Sequence, residues 1–197
     1  MSSLHNPASI LKFLHIVSNL KVTKRTGWIR HGVPAPESIA DHMHRMGVMA
    51  MLVQDASLNR DRCVKMAIVH DIAEAIAGDI TPNCGVSKEE KFRLEQDGID
   101  KLCDLLAPAS LPREEIRALW LEYEAASTPE ALFVKDLDKF EMIVQAFEYE
   151  KAHPEVAPLD DFFRSTKGVF AHPQVKSWVD QLYADRKVAL GYDASIL

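Results

Sequence analysis

Hydrophobic residues recur along most of the chain at the three- and four-residue spacing of an amphipathic helix. This spacing predicts a first helix that opens at Asn6-Pro7 and a long helix from Thr128-Pro129 to about His153. No window alternates apolar and polar residues with the period of two that is typical of a strand. The pattern therefore predicts an all-α fold, a compact orthogonal helical bundle. Further helices are expected to start near Ser38, Asn59 or Asp61, Ser87, Pro112, Leu159 and His172.

The stretch from Met66 to Asp79 is expected to form a buried helix at the centre of this bundle. Wound at about 100° per residue, it is apolar on almost every side, and one wedge carries His70, Asp71 and Glu74. Burying unpaired carboxylates is very costly, so a cation must compensate them. Imidazole and carboxylate groups are ligands of divalent metals, and the wedge therefore predicts a metal site. A His-Asp pair at a protein surface is the competing interpretation.

Such a site needs a second histidine and a further carboxylate. His42 and His44 lie in the first turns of the helix that Ser38 opens, where a histidine is more often structural than a ligand. Asp136 and Asp138 flank the apolar face of the long helix, and periodicity does not choose between them. These residues complete the list of candidate ligands.

Two other segments carry clustered charge. The helix that Ser87 opens is highly charged, which is typical of a solvated face. The segment from Lys21 to Glu37 contains two glycines and two prolines, so we expect a loop. This loop is either solvated or receives an anion, with arginine binding phosphate and Trp28 offering a stacking face. Its basic residues are Lys21, Lys24, Arg25, Arg30 and His31.

Composition narrows the possible functions. The 197 residues carry a net charge of −6, which argues against nucleic-acid polymers because their backbone requires a basic face. Three cysteines without C-x-x-C spacing suggest neither a disulfide framework nor a cysteine zinc site. We see no targeting signal and no stretch long enough to span a bilayer. We therefore expect a single cytoplasmic domain over residues 1–197, with its core at about 6–190.

Six short motifs follow one another along the chain, namely Arg25-Thr-Gly-Trp28, Pro36-Glu-Ser38, Asp41-His-Met43, Val69-His-Asp-Ile-Ala-Glu74, Gly78-Asp-Ile80 and Phe133-Val-Lys135-x-x-Asp138. In this order they resemble the HD-domain metal-dependent phosphohydrolase superfamily. Within it they resemble the 5′-deoxynucleotidase branch and, most closely, the HD domain-containing protein 2 group. The resemblance runs from the first helix to about Tyr183. A His-Asp pair alone is a weak motif, but the ordered set is specific.

The resemblance implies roles for particular residues. A metal would be held by a set of four, and the family pattern places its last ligand three residues after the lysine of Val-Lys. Two further carboxylates would be catalytic or would bind a second cation, together with the carbonyl of Ile80. Arg25 and Trp28 resemble the family's phosphate and sugar contacts, and Arg30 is the alternative phosphate contact. The implied metal ligands are His42, His70, Asp71 and Asp138, and the two further carboxylates are Glu74 and Asp79.

The resemblance also implies an activity and its cofactor. The expected reaction is hydrolysis of 2′-deoxyribonucleoside 5′-monophosphates to deoxynucleoside and phosphate. The expected cofactor is a divalent cation, with Mn²⁺, Co²⁺, Fe²⁺ or Zn²⁺ at the first site and Mg²⁺ at an all-oxygen second site. The family usually forms homodimers. The alternatives are an HD phosphohydrolase that acts on another nucleotide, or a non-catalytic nucleotide- or metal-binding regulator, which would be expected to lack at least one ligand position.

Overall fold

The computed structural model describes residues 6–81, 84–156 and 158–191. Over these ranges the regular structure is helical, and extended backbone pairs only in an isolated antiparallel bridge between Lys24 and Ser38. The same ranges contain no helix with the length and apolar character needed to cross a membrane. The predicted all-α fold is confirmed.

The helices follow the predicted order along the chain, with a 3₁₀ turn at Ser18–Lys21 after the first. Their bounds are α1 Pro7–Val17, α2 Thr26–Arg30, α3 Ile39–Met51, α4 Arg60–Val69, α5 Glu74–Ala77, α6 Lys88–Cys103, α7 Leu111–Ala125, α8 Pro129–Ala152, α9 Asp160–Ser165 and α10 Pro173–Leu190.

Side-chain caps fix several of the predicted helix starts. The Asn6 side chain accepts a hydrogen bond from the Ala8 amide, and Pro7 occupies the first position of α1. Ser38 and Asp41 form a reciprocal capping box at the start of α3. Thr128 caps α8 by accepting from the Ala131 amide at 3.1 Å. These local contacts explain why the starts could be read from single residues.

The long helix α8 lies at the centre of the core and packs against α3, α4, α7, α9 and α10. Its apolar face carries Phe133, Leu137, Phe140 and Phe147, which are buried among the side chains of those helices. Burying such side chains is the main favourable contribution to folding. The helix therefore provides a rigid support for the polar residues that flank this face.

The predicted central helix is interrupted, contrary to our expectation. Helix α4 ends at Val69, and residues 70–73 form a turn before the short α5. In this turn the amides of Ile72 and Glu74 bond to the carbonyls three residues earlier, at 3.0 Å each. The tighter winding ends the regular helix where the polar wedge begins. Helical periodicity predicted the composition of the wedge but not this break.

Other expectations about burial and loops were also wrong. Ile68 is 53% exposed and Ile76 is also exposed, so the segment from Met66 to Asp79 is buried on fewer sides than its apolar content predicts. The predicted loop from Lys21 to Glu37 contains the short helix α2. Apolar residues on a helix surface are common, and the interior of the bundle has room for only part of each helix.

Candidate metal centre and substrate pocket

Two fully buried imidazoles meet where α3 and α4 pack together. His42 lies in the first turn of α3 and His70 directly follows α4, with ring centroids 5.4 Å apart. His70 donates from Nδ1 to the Ala67 carbonyl at 2.9 Å, and Nδ1 of His42 is hydrogen-bonded to Glu141. The Nε2 atoms of both rings find no hydrogen-bond partner among the described residues. Two buried nitrogen atoms are thus left for a ligand.

Two carboxylates lie beside these nitrogen atoms. Oδ2 of Asp71 is 3.1 Å from Nε2 of His70 and 3.8 Å from Nε2 of His42. Oδ1 of Asp138 is 3.3 Å from Nε2 of His42, and its Oδ2 accepts a hydrogen bond from Tyr123 at 2.8 Å. One donor atom each from His42, His70 and Asp138 lies within 4.8 Å of the others. Two imidazoles with two carboxylates fit a divalent cation.

The structure separates the alternatives that the sequence left open. Asp136 is buried away from the candidate ligands His42 and His70. Its Oδ2 accepts hydrogen bonds from the backbone amides of Ala171 and His172 at 2.8 and 2.7 Å. It therefore ties α8 to the start of α10. His44 is exposed, whereas His42 faces the cluster. Asp138 and His42 are consequently the members of each pair that the fold brings together.

Charges within the cluster strongly perturb its acids and bases. Although burial opposes this change, His70 and Arg25 hold the pKa of Asp71 below its usual range, and His42 has the same effect on the pKa of Asp138. Burial and the charge of Arg25 lower the pKa of His42, but Glu141 and Asp138 outweigh them and raise it to about 9. The cluster thus favours positive charge at its centre.

A pocket of about 470 Å³ opens above these carboxylates. Asp71 and Asp138 form part of its lining, together with Glu74, Asp79 and Ile80. Its volume is within the range of small-ligand sites. The remaining lining residues come from α2, α6, α7, α8 and α9 and from two positions outside the helices, Arg25 and Thr81. The helical ones are Gly27, Trp28, Lys88, Lys91, Phe92, Glu95, Tyr123, Glu124, Lys135, Met142 and Phe162.

The two further carboxylates that the resemblance implied, Glu74 and Asp79, differ in their surroundings. Glu74 is 3% exposed, and its Oε2 has no hydrogen-bond partner within the described part of the chain. Burial and the nearby charges of Asp71 and Asp79 raise the pKa of Glu74 well above its ordinary value. Asp79 instead accepts the amide of Thr26 at 2.6 Å, and its carbonyl accepts the Thr26 hydroxyl. Asp79 therefore holds the start of α2 in place.

The basic loop places one of its two candidate arginines in the pocket. Arg25 lines the pocket, and its Nη1 is 3.4 Å from Oδ2 of Asp71. Arg30 instead contacts Sγ of Cys84 at 3.4 Å and is not among the lining residues. Asp71, Asp138 and Asp79 raise the pKa of Arg25 further, although burial opposes them. Arg25 thus remains positively charged beside the cluster.

Trp28 does not offer the free stacking face that we expected. Its side chain is 1% exposed, and its Nε1 donates to Glu37 at 2.9 Å. The rings of Phe162 and Tyr149 lie against it, with centroids at 4.4 and 5.3 Å. Phe162 is the more exposed of the stacked pair and also lines the pocket. Trp28 therefore acts mainly as support for this wall.

Sequence reasoning missed several residues around the site. Glu141 is buried, binds Nδ1 of His42 and accepts from Arg45 at 2.7 Å, so it orients the imidazole. Its position one helical turn after Asp138 was the available signal. The charged face of α6 was assigned to solvent, but Lys91 and Glu95 line the pocket. Burial raises the pKa of Glu95 to about 7. Only the packing of α6 against the 70–73 turn reveals this.

Gly98 allows α6 to approach that turn. A methyl group at this position would lie 2.9 Å from the carbonyl oxygen of Ala73. We expect Gly98→Ala to lower the free energy of unfolding by about 1–2 kcal/mol, because overpacking outweighs the gain in helix propensity. Denaturant unfolding followed by circular dichroism measures this change.

Gly47 is the matched control for this substitution. It also lies within a helix, but the nearest atom to an added methyl group would be Cγ1 of Ile68 at 3.6 Å. Gly47→Ala should therefore stabilise the protein by about 0.5–1 kcal/mol. Equal stability of the two variants would contradict the close contact at Gly98.

Comparisons with known proteins identify similar chains. Residues 17–178 match the HD domain family. The chain is 52% identical over 181 residues to "5′-deoxynucleotidase hdd1" of Schizosaccharomyces pombe, covering 91% of each chain. It is 48% identical to "5′-deoxynucleotidase HDDC2" of Homo sapiens, covering 97% of this chain and 93% of that protein. Among solved structures, "HD domain-containing protein YGK1(YGL101W)" superposes with a TM-score of 0.73 at 34% identity, covering 98% of this chain and 92% of that one.

Proposed function

Because this chain belongs to the HD-domain family, a family of metal-dependent phosphohydrolases, we infer that it is a 5′-deoxynucleotidase. It hydrolyses 2′-deoxyribonucleoside 5′-monophosphates to the deoxynucleoside and phosphate. The observation that carries this conclusion is the pair of buried, unpartnered Nε2 atoms of His42 and His70 beside two carboxylates beneath the pocket. The high identity to the fungal and human deoxynucleotidases adds the substrate class.

We propose that His42, His70, Asp71 and Asp138 hold the catalytic cation. When bound, this cation supplies Lewis-acid stabilisation of the phosphoryl group and a water that is more acidic near neutral pH. Its mixed nitrogen and oxygen ligands suit Mn²⁺, Co²⁺, Fe²⁺ or Zn²⁺. Three oxygen donors of the pocket lining would suit a second ion such as Mg²⁺. These are the carboxylates of Glu74 and Asp79 and the carbonyl of Ile80.

We propose separate roles in phosphate binding, proton transfer and positioning for the residues around the metal ligands. Arg25 neutralises charge on the phosphate, because it lines the pocket as a half-buried cation. Glu74 takes the proton of the attacking water at Oε2, which has no other partner within the described chain. Asp79 keeps Arg25 in position through the start of α2. Glu141 and Tyr123 orient His42 and Asp138.

Preference for a deoxy sugar would come from a wall that leaves no room for a 2′-hydroxyl. The expected wall was Trp28, but its side chain is 1% exposed and packs against the more exposed ring of Phe162. We therefore assign the contact surface to Phe162 and its support to Trp28. The close approach of these rings to Gly27, where a methyl group would lie 3.3 Å from Phe162, agrees with a tightly packed wall.

Phosphate release from matched pairs tests the activity. The pairs are dAMP and AMP, dCMP and CMP, dGMP and GMP, and dTMP and UMP, each with Co²⁺, Mn²⁺ and Mg²⁺ in turn. Release confined to the deoxy members confirms the proposal. Nucleotide binding without release, in protein shown by elemental analysis to hold metal, would instead favour the regulatory alternative. Release only from cyclic or polyphosphorylated nucleotides would assign a different phosphohydrolase activity.

Arg25→Ala is expected to raise KM for deoxynucleoside monophosphates about 10-fold to 100-fold, which corresponds to the loss of a charge-assisted contact of about 1.5–3 kcal/mol. Steady-state kinetics on dAMP measures this change. Arg30→Ala is the matched control, since Arg30 belongs to the same loop but lies outside the pocket lining. A larger effect from Arg30→Ala would move the phosphate contact to that residue.

We also propose a homodimer in the cytoplasm, as expected from the sequence. Its support is an exposed apolar patch formed by Val48, Met51 and Ile68 on α3 and α4. The two helices pack closely at this patch, as shown by the distance of 3.6 Å from Ile68 to a methyl group placed at Gly47. An exposed patch of this kind is typical of a protein interface.

A further inference from the structure

Lys135 is a half-buried cation in the pocket lining that the proposed mechanism leaves unused. It lies on α8, three residues before Asp138, so the two residues share one side of the helix. Its Nζ lies 3.9 Å from the centroid of the Tyr123 ring. Among the residues that the structure describes, Lys135 makes no hydrogen bond and no ion pair. Its ammonium group therefore retains three donors for a ligand.

The other cations of the pocket differ from Lys135 in this respect. Arg25 lies beside Asp71, and Nζ of Lys91 is 3.3 Å from Oε1 of Glu95. Lys88 is exposed and can be satisfied by water. Burial lowers the pKa of Lys135, which shows that its charge is less well solvated than usual. A contact with the Tyr123 ring compensates only part of this cost.

We propose that Lys135 binds the 5′-phosphate of the substrate as a second cation beside Arg25. The two cations flank the carboxylate pair, since Arg25 contacts Asp71 and Lys135 lies on the ring of Tyr123, whose hydroxyl binds Asp138. A phosphate monoester carries close to two negative charges near neutral pH, so a second cation beside Arg25 adds to the attraction that the metal and Arg25 provide. This inference rests on the proposed function, because it assigns a role within the same pocket.

Phosphate binding by metal-loaded protein tests this role directly. Calorimetric titration with inorganic phosphate should show at least about 10-fold weaker binding for Lys135→Met, as expected for loss of a charge-assisted contact. The KM for dAMP should rise by a similar factor. The inhibition constant of the free deoxynucleoside should stay unchanged, because that ligand lacks the phosphate. Lys135→Arg should restore part of the phosphate affinity.

Lys139→Met is the matched control, because Lys139 lies one turn further along α8 and does not line the pocket. It should bind phosphate as the wild type does, and all variants should hold equal metal by elemental analysis. Unchanged phosphate affinity in Lys135→Met would overturn the inference. So would a change confined to the deoxynucleoside, which would place Lys135 at the sugar or base. A different result would contradict the proposed function itself, namely that wild-type protein releases no phosphate from any deoxynucleotide.

Discussion

Asp71→Ala is expected to abolish both metal binding and turnover, with kcat lower by at least about 1,000-fold. Oδ2 of Asp71 lies 3.1 Å from Nε2 of His70 and 3.8 Å from Nε2 of His42, so this carboxylate is close to both unpartnered imidazole nitrogen atoms. Its removal also takes away the carboxylate that Arg25 contacts at 3.4 Å. Elemental analysis of the purified variant and phosphate release from dAMP measure the two effects.

Asp136 supplies the control that separates loss of the site from loss of the fold. It is a buried aspartate on the same helix as Asp138, but it accepts hydrogen bonds from the backbone amides of Ala171 and His172. Asp136→Asn should therefore lower the melting temperature while the metal content stays the same. Full metal loading in Asp71→Ala would contradict the proposed ligand set, and retained turnover would contradict the site itself.

Glu74→Gln is expected to keep the first metal and to lower kcat about 100-fold to 10,000-fold, the usual contribution of a general base. The side chain is buried in the pocket lining, and its Oε2 has no hydrogen-bond partner among the described residues. Glutamine conserves the size of the side chain while removing its ability to accept a proton. The KM for dAMP should change little, because Glu74 is proposed to act on the water and not on the phosphate.

Metal analysis distinguishes the two roles that were expected for Glu74. Loss of one ion with the other retained would make it a ligand of a second cation, and loss of all metal would make it part of the first site. Glu95→Gln is the control, since Glu95 is also a buried carboxylate of the pocket but is paired with Lys91. A similar loss of kcat in Glu95→Gln would mean that general electrostatics, and not a base at Glu74, explains the effect.

Much of the site could be predicted because its motifs are local. His70, Asp71 and Glu74 follow one another within five positions, and the resemblance added His42 and Asp138 through their own motifs. The structure brings these side chains together. Periodicity alone did not choose Asp138 over Asp136, since that choice depends on which side of α8 faces α3 and which faces the start of α10.

The main errors have a common physical origin. Trp28 was expected to be open to the substrate, but its side chain is buried and packs against Phe162, which lies 134 positions later in the sequence. The pocket contribution of α6 was missed because its charges resemble any solvated face until the helix packs near the 70–73 turn. Such contacts join segments that no local pattern connects.

The sequence by itself determined the helical class, the helix starts and the types of residue that could bind a metal. These properties depend on the 3.6-residue repeat and on caps within a few residues of one another. Only the tertiary structure decided where the central helix breaks, which aspartate joins the histidines and which half-buried lysine of the pocket makes no ion pair with the described residues. Burial and electrostatic pairing depend on distances between helices, and those distances exist only once the chain has folded.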